Sequence, residues 1–404
     1  MGAGAAGLMS AAWAGRTLHG ADGRVVAVDG ARTLGAKILV AGGGRCNVTH
    51  DVVDETAYAG SSRNTIRKVL RRFDVAPSIE FFRELGVTLK REETGKLFPT
   101  TDSARTVLDA LLRAVREAGA GVVHPWRVAR VVRTERGFVV KNNSGDELFC
   151  RKVILCSGGR SLPKSGSDGA GYEIARSLGH SITARVFPAL VPLLLPAGHV
   201  LTTLSGLTLP ASLEVRGPTG KRLAAFIDST LLTHFGLSGP SVLDISRYYT
   251  EGLLEGAKLV INFLPQAAPA ALDESLRGLG RQSVGRHFSS VLPERLVRAL
   301  CSWAGVEFAT PGASLAREAR LRLVTAFTEQ ELPITGDRGW NYAEVTAGGV
   351  PLAEIRPETM ESRVCPGLHL AGEICDVDGR IGGYNFQWAW ASGFVAGSGA
   401  AAGL

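Results

Sequence analysis

Gly2, Gly4 and Gly7 stand in a G-x-G-x-x-G pattern that runs straight into Leu8, Met9 and an alanine-rich stretch. No other feature restricts the fold as much. The first glycine allows a tight turn, the second lets backbone approach a pyrophosphate, and the third packs a helix close to a sheet. The helix N-terminus then offers free N–H groups to an anion. Gly2, Gly4, Ala5, Ala6 and Gly7 are therefore the first candidate contacts to a dinucleotide. Arg24 to Val28 reads as a short buried strand closing on Asp29, 22 residues past Gly7. An acid at that distance accepts hydrogen bonds from an adenosine ribose. In a chain with 50 glycines the pattern alone could equally be a plain turn. The turn normally follows a β-strand, and this sequence starts at the turn, so an in-frame run rich in Val and Ile is expected upstream. If a stop directly precedes Met1 instead, this form is expected to bind its cofactor weakly or not at all.

With 404 residues the chain exceeds one growing core, and two or three domains are expected. Six cysteines form no C-x-x-C pair and no zinc pattern with the eight histidines, which points to a reduced, cytoplasmic setting without metal. The apolar run from Ala189 to Leu195 is broken by Pro192 and flanked by Pro188 and Pro196, too short to span a bilayer. The net charge of +7 would suit nucleic acid, but the basic residues come in scattered pairs such as Arg71-Arg72 and Lys90-Arg91. A small molecule is the expected partner.

A second glycine string, Gly42-Gly43-Gly44-Arg45-Cys46-Asn47, follows Lys37 to Val40. Three glycines in a row suit close passage along a ligand. Arg45 can pair with phosphate or with a carboxylate of the fold. Cys46 can be a reactive thiol or a buried inert one. Asn47 can bond a heterocycle edge or cap a turn.

Gly35-Ala36-Lys37-Ile38-Leu39-Val40 together with Gly42 to Thr49 resembles the signature of the YhiN/BaiN-like bacterial flavoproteins, which are related to the glutathione-reductase and fumarate-reductase types. The likeness continues through Glu93-Thr94-Gly95-Lys96-Leu97-Phe98-Pro99, with Lys96 where relatives carry Arg. The resemblance implies an α/β fold. A Rossmann-like FAD domain comes from both chain ends, 1–186 and 341–404, with a β-barrel-like substrate domain over 187–265 and a mainly helical cap over 266–340. Residues 121–132, 137–141 and 147–151 read as a small antiparallel meander, whose Val128 is counted among the cofactor contacts. The strand Val153 to Cys156 delivers Ser157-Gly158-Gly159, implied to pass near the adenosine or pyrophosphate. Gly372-Glu373 ends a strand, and the acid there is implied to bond the ribityl chain.

Asp376 and Asp378 follow, either as an acid–base pair or as turn bonds, with Asp378 counted among the cofactor contacts. Gly383-Tyr384-Asn385-Phe386 then opens an apolar helix. N–H groups there would face the flavin pyrimidine and stabilise negative charge at N1 and O2. Trp388 and Trp390 point to different helix faces and form no binding stripe. His234, in the family string Leu231 to Pro240, is the best candidate for a substrate-facing residue, although a lone histidine is more often structural. His234, Asn47 and Cys46 are the candidate catalytic residues.

These readings converge on an FAD-dependent oxidoreductase moving a hydride or electron pair between flavin N5 and an unidentified small organic molecule. The resemblance leaves the substrate open, between reductases of conjugated enones and amine oxidases. No second G-x-G-x-x-G with a preceding strand is visible, so NAD(P)H is expected only as a transient donor. An RNA-modifying flavoprotein and a non-catalytic flavin-binding scaffold are the alternatives. The sequence sets no oligomeric state.

Overall fold

A computed structural model describes residues 1–18 and 23–404. They form two compact units, one of Met1–Pro188 with Ala343–Leu404, the other of Ala189–Tyr342.

In the first unit, helix α1 (Ala5–Thr17) starts directly from the glycine turn, with Gly4 at its N-cap. It carries no charge before Arg16 and is buried along most of its length, as a helix of low polarity on all sides should be. It closes at Thr17. The C-terminal helix Tyr384–Ala402 is apolar in the same way and packs along α1. A Cβ on Gly397 would fall 2.3 Å from the Ser10 carbonyl oxygen, so the two backbones meet where no side chain fits.

Both chain ends build the parallel sheet. Strand β1 (Val26–Val28) pairs in parallel with Gly121–Val123, and Val153–Leu155 with Leu368–Leu370. The first two residues join these pairs. The Met1 amino group donates to the Ile154 carbonyl at 2.7 Å, Cys156 N–H to the Met1 carbonyl at 2.8 Å, and Gly2 N–H to the Val28 carbonyl at 2.8 Å. The meander contains Val128–Thr134, Gly137–Asn142 and Glu147–Cys150. Gly121–Val123 does not belong to it, because Pro125 lies between and the earlier segment is taken by β1.

Helix α2 (Ala36–Val40) leads into the second glycine string, and α3 (Arg63–Leu70) buries Ile66, Val69 and Leu70. A separate helix, Val75–Glu84, follows, with the Asp74 carboxylate accepting from Ala76 N–H at 3.1 Å. Pro77 falls in the first turn of that helix, where a missing N–H costs nothing, so the break comes before the proline and not at it.

The second unit is built on a seven-stranded antiparallel sheet. Its order is Gln330–Leu332, Lys258–Asn262, Thr208–Arg216, Arg222–Thr233, Gly236–Ser238, Leu193–Leu194 and Gly336–Asp337. The two outer strands, Gln330–Leu332 and Gly336–Asp337, do not pair with each other, so the sheet is open; the β-barrel-like insert expected from the sequence is not a closed barrel. Helices Pro269–Arg277, Glu294–Trp303 and Arg317–Thr328 share one core with the sheet through Leu276, Leu300, Phe327, Leu213 and Ile261. Among the described residues no helix is long and apolar enough to cross a membrane.

Candidate functional site

The glycine turn is held from two sides. Asp29, at the end of β1, accepts from Ala3 N–H at 2.6 Å and from Ala31 N–H at 2.7 Å. Each carboxylate oxygen keeps a further lone pair, so the acid both fixes the turn and can accept a ribose hydroxyl. On the other side Gly2 lies against the Cys156–Ser157 backbone, where an added Cβ would fall 2.4 Å from the Cys156 carbonyl oxygen. A Cβ on Gly7 would fall 1.8 Å from the Gly2 carbonyl oxygen. The structure thus brings Gly2 to Gly7, Asp29 and Ser157 to Gly159 together. No side chain caps α1. Its first N–H groups have no intrahelical partner and favour an anion.

Glu373 is the centre of a second cluster. Its Oε2 accepts from Lys37 Nζ at 2.5 Å, and its Oε1 from Ser161 Oγ at 2.7 Å and Thr346 N–H at 3.0 Å. Lys37 Nζ also donates to Ser161 Oγ at 2.5 Å. Thr346 Oγ1 accepts from the N–H groups of Arg160 and Ser161 at 2.7 and 3.0 Å. Gly159 passes so close that a Cβ there would lie 3.0 Å from Glu373 Oε1, and Gly372 touches Ala6 of α1 in the same sense. A half-buried ion pair therefore fixes the acid expected at the ribityl chain.

The third part is the start of the C-terminal helix. Gly383 provides no side-chain cap, and the N–H groups of Asn385 and Phe386 lie in the first turn, where the helix itself supplies no acceptor. Asn385 ties the preceding turn by accepting from Gly379 N–H at 2.8 Å and donating to its carbonyl at 2.9 Å. Asp378 pairs with Ala59 in the strand beside it. The Tyr384 ring stacks on His50 with centroids 5.0 Å apart, and its carbonyl accepts from Tyr58 OH at 2.8 Å. Phe386 stacks on Trp390 at 5.4 Å. The Trp388 and Trp390 indole N–H groups bond the Gly372 and Val48 carbonyls, so both tryptophans are core.

Three further expected residues have the following surroundings. Arg45 donates to Glu92 at 2.6 Å and lies 4.0 Å over Phe98, so its guanidinium serves a carboxylate of the fold. Cys46 is fully buried, and burial pushes its thiol up to about 12, which removes it as a thiolate nucleophile at neutral pH. Val128 is a half-buried strand residue paired with Asn142. Asn47, next to Cys46, stays at the glycine string, where a Cβ on Gly42 would lie 3.1 Å from its backbone nitrogen.

The residues fit a dinucleotide flavin on two grounds. Among the described residues Asn47 Oδ1, Ser167 Oγ and Tyr172 OH are buried without a hydrogen-bond partner, beside Gly42, Gly158 and Glu373 respectively. Buried polar atoms of this kind require a partner. Burial, with Glu373 beside it, raises the Tyr172 hydroxyl far above its ordinary value, so it stays a donor. At Gly4 and Gly43 an added Cβ would meet nothing within 4 Å, so backbone there borders open space.

His234 belongs to the second unit. It is exposed on the two-residue turn between Arg222–Thr233 and Gly236–Ser238, and Thr233 Oγ1 closes that turn on Gly236. The ring meets Phe235 edge-on at 5.1 Å. Arg338 lies 4.3 Å over the same Phe235 and 3.5 Å over Tyr342, a cation held between two aromatic faces. Sequence reading missed Arg338, Tyr342, Ser161, Thr346, His50 and Tyr172. No local motif marks them.

Comparison with known proteins agrees with this geometry. Residues 1–399 match the model described as HI0933-like protein Rossmann domain. A 3-dehydro-bile acid delta(4,6)-reductase of Clostridium scindens is 34% identical over 99% of this chain and 98% of its own length. A ribosomal RNA dihydrouridine synthase of Escherichia coli is 34% identical over 98% of this chain and 95% of its own. Among solved structures, a quinol fumarate reductase chain of E. coli superposes with a TM-score of 0.53 at 14% identity, covering 99% of this chain and 69% of that one, and so shares its fold. Together these place the chain in the HI0933-like (YhiN/BaiN) family of FAD-dependent oxidoreductases.

Proposed function

We propose that this flavin-dependent reductase adds hydrogen across a carbon–carbon double bond conjugated with a carbonyl group. The observation that carries the reading is what the two named relatives have in common. A 3-dehydro-bile acid with Δ4,6 unsaturation and the uracil ring of RNA each present such a bond. Bound FAD supplies the electron pair at N5. The chain's own residues hold and orient it. The α1 N-terminus takes the pyrophosphate, Asp29 the ribose and Glu373 the ribityl chain, while the N–H groups at Tyr384 to Phe386 offset negative charge on the pyrimidine edge.

On the substrate, negative charge develops at the carbonyl oxygen as hydride arrives at the β-carbon, and a proton from solvent at the α-carbon completes the addition. Arg338, held between Phe235 and Tyr342, and the exposed His234 are the groups we assign to that oxygen. In this reading residues 1–186 and 341–404 bind flavin, while 187–265 and the helices of 266–340 frame the substrate. NAD(P)H acts as a transient donor, in a cytoplasmic setting supported by six free cysteines.

The purified protein should be yellow. Anaerobic NADH or NADPH should bleach it, and a steroid 4,6-dien-3-one or a uridine-containing RNA should restore the colour. Bleached protein that neither acceptor reoxidises would sink the proposal. Arg338→Gln should keep its flavin and lose roughly 100-fold in kcat/KM, the cost of deleting one oxyanion donor. Unchanged turnover would remove Arg338 from the reaction.

A further inference from the structure

We propose that the solvent face of α3 docks the phosphate backbone of RNA, an inference that rests on the conjugated-carbonyl reading with uracil as the ring reduced. On this helix and the two residues after it, Arg63, Arg67 and Arg71 follow one another a turn apart, with Lys68 and Arg72 on the adjacent row. The opposite face is buried through Ile66, Val69 and Leu70.

Three observations favour this use. First, positive charge is concentrated in the unit that carries the helix. The first unit holds 31 Lys and Arg against 25 Asp and Glu, the second 14 against 13. Second, several other surface cations of this unit have an acid beside them. Arg83 pairs with Glu80, Arg91 with Asp51, Arg127 with Asp168 and Arg176 with Glu173. Among the described residues, Arg67 alone on α3 has such a partner, Glu55 at 3.6 Å, along with a bond to Asn64 Oδ1 at 2.6 Å. Among the described residues the exposed Lys68, Arg71 and Arg72 carry no ion pair, and Arg63 acts only weakly on Asp54. Like charges one turn apart destabilise a helix, and an anion bound along this row would relieve that repulsion.

Third, α3 is anchored to the candidate flavin site. Ser61 N–H donates to the Asp376 carbonyl at 2.8 Å and Ser61 Oγ to Asp376 Oδ2 at 3.1 Å. Strand Tyr58–Gly60 pairs with Val377–Gly379. A nucleic acid held on α3 would thus be registered against the flavin edge. A lipid surface fits less well, because a membrane-binding helix offers its apolar face to the bilayer and here that face is in the core.

The test uses the flavin-loaded full chain and fluorescein-labelled oligouridylate, with binding followed by anisotropy over a range of salt. The variant combines Lys68→Gln, Arg71→Gln and Arg72→Gln. We expect wild-type binding that weakens with salt, and a variant whose log–log salt slope is shallower by about 2, from three lost single-strand phosphate contacts. Its flavin absorbance and its reduction of a small dienone should match wild type. Equal RNA binding and slope in both proteins, no RNA binding by wild type, or wild-type preference for phosphatidylserine vesicles would each overturn the assignment. RNA binding that depends on α3 in a protein inert toward every conjugated carbonyl would support the docking face while refuting the proposed reaction.

Discussion

In the first unit α1 and the C-terminal helix meet through alanine and glycine, whereas in the second unit sheet and helices interlock through leucine, isoleucine and phenylalanine. The first arrangement gives up side-chain volume so that backbone can approach backbone, which aims helix N–H groups at a ligand. The second fills space with large side chains and draws its stability from their burial. Disturbing the first should therefore cost flavin before it costs anything else, and disturbing the second should cost stability first.

The largest expected effect is that of Gly7→Val. With a Cβ at 1.8 Å from the Gly2 carbonyl oxygen, the turn cannot close. The purified variant should be colourless and should take up no FAD on titration; normal flavin stoichiometry would break the comparison. Next comes Phe327→Ala. This fully buried ring stacks on Phe288 at 3.8 Å, and its removal should destabilise the second unit by about 3–5 kcal/mol. Hydrogen exchange should locate the loss there while flavin absorbance persists, so equal loss in both units would count against the contrast.

Lys37→Met is smaller. It removes one partner of Glu373 but leaves Ser161 and Thr346, and should weaken FAD binding by about 1–3 kcal/mol. Calorimetry of the flavin-depleted protein would measure it, and unchanged affinity would make the pair purely structural. The smallest effect is at Cys46. Its thiol, protonated and fully buried, should resist iodoacetamide at pH 8 in the native protein and react only after denaturation.

Much of the site is legible in residue order, for reasons that can be named. Gly2 to Gly7, the strand before Asp29 and the apolar helix after Gly383 are local patterns, in which spacing along the chain is also spacing in space. Arg45 shows the limit. Its neighbours suggest a phosphate or a carboxylate equally, and only the fold supplies Glu92, 47 positions away. The β-barrel-like insert fails for a related reason, since strand runs and prolines show that a sheet exists but not whether its edges meet.

The sequence by itself determined the dinucleotide turn, the acid that follows it, the glycine strings and the family, because each is written in consecutive residues. Tertiary structure alone joined Lys37 to Glu373 across 336 positions, buried Cys46, clamped Arg338 between two rings and left Lys68, Arg71 and Arg72 without an ion pair among the described residues. Those outcomes depend on which distant segments the two units bring into contact. Burial and pairing are properties of that arrangement, which residue order encodes only through the folded whole.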